Sequence, residues 1–222
     1  MLTTVRFVTI GQTPRTDMVP DLVARLPEGT VIREVGALDG LDRSEVTALA
    51  PAPGEARLVT RMADGSQAVV GKAKMHARLQ GILDGLVRDP SAVTVLLCTG
   101  EFPGLRGPGI FLDAQHLVDH GVAALCAGME CVGLLLPAAE QADEFHWKPA
   151  PHQELRATWA SPYVGDRFGE AAQELAGCDA IVMHCMGFTE EQRHRVARAS
   201  GRPVLLARRF VAVHADATFS VS

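Results

Sequence analysis

The chain has 222 residues, of which 47% are hydrophobic and 21% charged, with a formal net charge of -5. Those proportions fit a folded globular chain long enough for one large domain or two small lobes, and they exclude extended disorder. The 21 basic residues are nearly all arginine, the exceptions being Lys72, Lys74 and Lys148, and they are scattered among acidic neighbours, which leaves no nucleic-acid footprint.

The apolar run from Val5 to Ile10 is broken by Arg6 and stops at Gly11-Gln12, too short for the core of a signal peptide. Glycine, proline or charge interrupts every hydrophobic stretch before the roughly 20 apolar residues of a membrane helix. The expectation is a cytoplasmic protein with no membrane partner. Five cysteines, odd in number and without a CxxC pair, read as thiols of a reducing compartment. Cys126 and Cys131 are spaced like a loose metal pair, but no second pair or His motif completes a site, so no metal is expected.

In chain order, apolar runs alternate with amphipathic stretches, the pattern of an α/β fold. Thr4 to Ile10 reads as a strand, followed by a loop over 11–16 and a helix from Asp17 to Leu26 with Asp17 as N-cap. Val31 to Val35 is the second strand, leading into Gly36-Ala37-Leu38-Asp39-Gly40. Residues 56–70 alternate around Asp64-Gly65 and predict an antiparallel hairpin that could cover or gate a cleft. Leu79, Ile82, Leu83, Leu86 and Val87 form a helical stripe before the strand Val93 to Leu97. The second half repeats the scheme: a helix near 113–125, a strand at Val132 to Leu136, a short helical segment, and a strand near Leu155 to Trp159 that runs into Ala160-Ser161-Pro162-Tyr163. A helix over Phe168 to Ala176, the strand Ala180 to Met183, a helix from Glu190 to Ala199 and a final strand from Pro203 complete it. No polar linker separates the halves. The expectation is therefore one compact unit of two α/β lobes, 1–110 and 111–222, around a shared cleft.

Two strands deliver cysteines at their carboxyl ends: Cys98 in Leu97-Cys98-Thr99-Gly100-Glu101, and Cys185 in His184-Cys185-Met186-Gly187. Ligands of parallel sheets bind outside such ends, so two thiols could share one small molecule. A thiol needs only a modest push to act as acid or base near neutral pH, which suits removal of a proton from a carbon beside a carboxylate. The substrate's developing charge calls for fixed donors. Gln12, Thr13 and Arg15 in the first loop supply an amide, a hydroxyl and a guanidinium, and an Arg15→Ala change is expected to leave folding nearly intact. Thr99, Gly100 and Glu101 flank Cys98, Met186 and Gly187 flank Cys185, and Ser161 occupies another exit of the second half. His184 is assigned a supporting role behind Cys185. Cys126, Cys131 and Cys178 are assigned to packing. No P-loop, Gly-x-Ser-x-Gly or GxGxxG turn is present, so no nucleotide cofactor is expected.

Gly11-Gln12-Thr13-Pro14-Arg15, Gly36-Ala37-Leu38-Asp39-Gly40, Leu97-Cys98-Thr99-Gly100-Glu101-Phe102 and Cys185-Met186-Gly187-Phe188, in that order, resemble the AroM family of bacterial proteins. AroM proteins resemble in turn the aspartate/glutamate/hydantoin racemase superfamily. The resemblance implies two pseudo-symmetric α/β lobes with parallel sheets, a cysteine from each, and a site without cofactor in the cleft between them. In the amino-acid racemases Asn-Thr follows the first cysteine and Thr the second, whereas this chain has Thr99-Gly100 and Met186-Gly187. AroM proteins carry Asp before the second cysteine, where this chain has His184. Three activities stay open on this reading: a racemase or epimerase of a small carboxylate, an isomerase or lyase in which one cysteine is a nucleophile, and a non-catalytic sensor or carrier of a small acid linked to aromatic metabolism. A homodimer is the one protein assembly left open.

Overall fold

The computed structural model describes residues 4–144, 150 and 152–219. It divides into two compact units, Met1–Gln115 with Val211–Ser222, and His116–Phe210. The last stretch of the chain thus groups with the first unit, where the sequence-based halves place it in the second.

The first unit carries β1 (Thr4–Thr9), α1 (Val19–Val23), β2 (Val31–Gly36), α2 (Arg43–Ala48), β3 (Arg57–Arg61), β4 (Gln67–Gly71), α3 (Lys72–Gly85), β5 (Ala92–Leu96) and β6 (Ile110–Asp113). After α4 (Ala114–Leu125) come β7 (Cys131–Leu136), α5 (Ala139–Glu144), β8 (Glu154–Trp159), α6 (Phe168–Glu174), β9 (Ala180–Met183), α7 (Glu190–Ser200), β10 (Val204–Leu206) and α8 (Ala207–Phe219).

Two four-stranded sheets result, ordered β2-β1-β5-β6 and β10-β9-β7-β8, and every pairing within them is parallel. Numbered by appearance within its own sheet, each has the order second, first, third, fourth. Each therefore reverses direction between its first and third strands, and such a switch point is where open α/β sheets leave a crevice at the strand ends. Burial explains why the strands are apolar runs. All residues of β5 and β7 are buried, because a central parallel strand is covered on both faces. The edge strands β2 and β8 instead mix exposed and covered positions. In β7 the absent side chain of Gly133 is filled by Leu175 and the Cys178 sulfur, each 3.3 Å from where a Cβ would stand.

The hairpin of β3 and β4 forms as expected, paired antiparallel from Arg57↔Gly71 to Arg61↔Gln67. Its tip turns through Gly65 at φ 88, a backbone angle that favours glycine. The first helix differs from its sequence reading. It spans only Val19–Val23 and has no side-chain cap, because the Asp17 carboxylate that was to cap it is held by Arg15. Three elements were not anticipated: α2, β6 and α8. The α2 helix starts with a complete capping box, Asp42 accepting from the Glu45 N–H and Glu45 accepting from the Asp42 N–H. Among the described residues no helix is long and apolar enough to cross a membrane.

Candidate active site

Both singled-out cysteines stand two residues beyond the third strand of their own sheet, Cys98 after β5 and Cys185 after β9. Their local geometry is also the same. The N–H of Gly100 donates to Cys98 Sγ at 3.3 Å, and that of Gly187 donates to Cys185 Sγ at 3.4 Å. A donor aimed at sulfur favours the thiolate over the thiol, because a charge-assisted hydrogen bond is the stronger one. The two residues are 6% and 8% exposed. Both turns are closely packed at the glycine. A Cβ on Gly100 would stand 2.6 Å from Leu58 Cδ2, and one on Gly187 would run into the Tyr163 phenol and lie 3.0 Å from Pro162 Cγ. Leu58 belongs to β3, so the hairpin packs over the Cys98 turn within the first unit.

The donors expected for an anion in the first loop are committed to protein acceptors. Gln12 is a three-way staple: its Nε2 donates to Leu38 O at 3.2 Å and Leu41 O at 3.0 Å, and its Oε1 accepts from Ala63 N at 2.9 Å. Thr13 gives its N–H and hydroxyl to the two Asp39 oxygens, and Asp39 also accepts from Gly36 N. A Cβ on Gly36 would lie 2.5 Å from both Asp39 Oδ1 and Gly11 O. The two sequence motifs after β1 and β2 are thus halves of one clasp beside the Cys98 strand end.

Arg15 is 2% exposed rather than peripheral to the core. Its Nε and Nη2 form a fork on Asp17 at 2.9 and 2.8 Å, and Nη1 donates to Thr9 Oγ1 at 2.7 Å. Burial pushes the Asp17 carboxyl up, but the hydrogen bonds and charge of Arg15, with the charge of Arg61, outweigh it and hold Asp17 below its usual 3.8. Substituting Arg15 therefore bears on folding, which corrects the expectation that it would not. Thr99 and Gly100 are partly covered, whereas Glu101 has a side chain 71% exposed and faces Lys72 at 3.9 Å.

In the second unit Ser161 Oγ accepts from the N–H groups of Tyr163 and Val164 at 3.0 and 3.1 Å, tying down the turn that brings Tyr163 onto Gly187. The Met186 side chain is buried, so it is the backbone of this residue that borders the turn. His184 points toward α4, where its Nε2 meets Asp119 Oδ1 at 3.3 Å. A residue absent from the sequence reading is Arg208, in the first turn of α8. Its Nε and Nη2 donate to Met186 O at 3.2 and 2.9 Å, and Nη2 donates also to Gly187 O at 3.2 Å. Its sequence signal was weak: one arginine of an Arg-Arg pair where the chain read as strand.

The remaining cysteines lie elsewhere and are buried. Cys131 and Cys178 approach to 3.1 Å at the opening end of β7. Burial, then the contact with Cys131, pushes the Cys178 thiol up to about 12. Burial also raises Cys126. Among the described residues no group of three His, Cys, Asp or Glu could hold a metal ion.

Two parallel α/β units of one topology, each with a Cys-x-Gly turn after its third strand, define a protein of the Asp/Glu racemase-like fold. Solved structures agree. An allantoin racemase from Pseudomonas fluorescens superposes with a TM-score of 0.57 at 10% identity, covering 96% of this chain and 89% of its own. A Nocardia farcinica maleate cis-trans isomerase gives 0.53 at 16% identity over 96% and 90%. The maleate isomerase of Pseudomonas putida S16 gives 0.51 at 13% identity over 100% and 94%. No curated protein matches the sequence. The AroM protein family matches residues 5–217, and the chain belongs to that family.

Proposed function

We propose that this AroM protein is a cofactor-independent racemase or epimerase of a small carboxylate, with Cys98 and Cys185 as its two acid/base groups. The observation that carries the reading is the repeated turn: a cysteine two residues past the third strand, its sulfur accepting the N–H of a glycine two residues on, in both units. One thiolate removes the proton from one face of the carbon next to the carboxylate, and the opposing thiol returns a proton to the other face. The product is the mirror-image centre. The Gly100 and Gly187 N–H groups are committed to the two sulfurs, so donors for the charge that builds on the carboxylate come from the remaining polar groups beside the turns, the Thr99 and Ser161 hydroxyls among them. The Gln12 staple, the Thr13–Asp39 clasp and the Arg15 fork hold the loop beside the first turn in place.

The test is solvent deuterium incorporation. Candidate chiral carboxylates, each enantiomer separately, are incubated with the protein in D2O and followed by proton NMR. Loss of the signal at the stereocentre with formation of the other enantiomer is expected, and Cys98→Ala and Cys185→Ala should each abolish racemisation. Undiminished racemisation by either variant would refute the two-thiol mechanism.

In a second reading one cysteine adds to the substrate as a nucleophile and the other acts as acid, which the same pair of strand-end thiols allows; maleate isomerases are among the proteins that share the fold. Mass spectrometry of a trapped adduct on one cysteine alone would favour it.

A further inference from the structure

We propose that Arg208 is a positioning residue for Cys185, acting through the Met186–Gly187 peptide. The inference rests on reading Cys185 as a reactive thiol. The carbonyl of Met186 and the N–H of Gly187 are the two ends of a single planar peptide unit. Arg208 grips the oxygen end twice, at 3.2 and 2.9 Å, while the hydrogen end meets Cys185 Sγ at 3.4 Å. In a trans peptide these ends point in opposite directions. Fixing the oxygen therefore fixes where the N–H points. The contact from Nη2 to Gly187 O at 3.2 Å holds the next peptide as well, so the turn cannot rotate about Gly187 without breaking a charged hydrogen bond.

The charge matters in addition to the grip. A guanidinium on a carbonyl oxygen draws electron density toward it and makes the N–H of the same peptide a stronger donor, and hydrogen bonds in series reinforce one another by about 10–30%. Arg208 is 2% exposed, so water screens the effect little. Its neighbour Arg209 provides the contrast. That side chain is half exposed and pairs with Glu190 in an ordinary surface ion pair.

The test uses the full-length protein and iodoacetamide as the probe, with the labelling rates of Cys185 and Cys98 resolved peptide by peptide at one neutral pH. Cys98 is the internal control. In Arg208→Met the Cys185 rate should fall about fivefold or more, the scale of one ordinary hydrogen bond, while Cys98 stays within about twofold. Arg208→Lys keeps the charge without the fork and should lie between. Adding free guanidinium to Arg208→Ala should restore part of the Cys185 rate and leave Cys98 alone. If Arg208→Met does not fold, the lysine variant decides the matter by the same selective loss at Cys185. An unchanged or faster Cys185 rate in a folded variant, or parallel changes at both cysteines, would overturn the proposal. The readout needs no substrate, so a failed labelling test is distinguishable from a failed racemase reading.

Discussion

Removing Arg15 tests how the first strand-end loop is built. Its fork on Asp17 has side-chain exposures of 3% and 14%, and the two N–H···O contacts are 2.9 and 2.8 Å. Deleting one partner of such a buried pair costs about 3–5 kcal/mol, because the other charge is left desolvated. Arg61, 3.6 Å from Asp17, takes up part of the loss, and Thr9 Oγ1 keeps the N–H of Gly11. Arg15→Ala should therefore cost about 3 kcal/mol, the low end of that range. For a chain of this length that lowers the unfolding midpoint by roughly 6–12 °C, as circular dichroism would read it. The pH dependence is the sharper signature. In the parent protein Asp17 is held below 3.8, so its contribution is present above that value and is lost only as pH falls through the lower folded value. In Arg15→Ala burial dominates and the folded Asp17 lies above its unfolded value, so the penalty is fully felt at pH 7 and fades as pH falls toward 4. The deficit should shrink between those values. A deficit below about 1 kcal/mol at pH 7, within the range of an exposed pair, would refute this account. So would a deficit that does not change with pH.

Gly187→Ala should destabilise by about 1–3 kcal/mol, because the new methyl meets Tyr163 and Pro162, and it should alter Cys185 labelling more than Cys98 labelling. Gln12→Ala removes three hydrogen bonds that tie the first loop to two other segments, the Leu38–Leu41 turn and Ala63, and should cost about 1–2 kcal/mol in thermal or denaturant unfolding; a neutral result would contradict the staple. Burial and the contact with Cys131 push the Cys178 thiol well up, so iodoacetamide should label Cys98 and Cys185 before it in the folded protein.

The central strands were legible because burial on both faces turns them into continuous apolar runs. Ala180–Met183 was read residue for residue, and Cys98 and Cys185 stood out at the strand ends. The missed elements lacked that signature. Of the six residues in α2 only Val46 is buried, though the Asp42 and Glu45 spacing announced its start. In β6 only Asp113 is buried, and the strand follows a glycine-rich turn. The first loop shows a different limit. Composition tells that Gln12, Thr13 and Arg15 can donate, but their acceptors come largely from Glu34, Leu38, Asp39 and Leu41, far along the chain. A short-range competition was missed for a related reason. Asp17 suits a helix cap, and a bidentate guanidinium two residues earlier outcompetes backbone N–H groups for it.

The most direct measurement of the two-thiol mechanism is the distance between the Cys98 and Cys185 sulfurs in a crystal structure with a small carboxylate bound. Two groups acting on opposite faces of one carbon must each come within about 3–3.5 Å of it, which predicts sulfurs facing each other at roughly 6–7 Å. Sulfurs directed to different sheet faces, or a carboxylate bound beside only one of them, would contradict it.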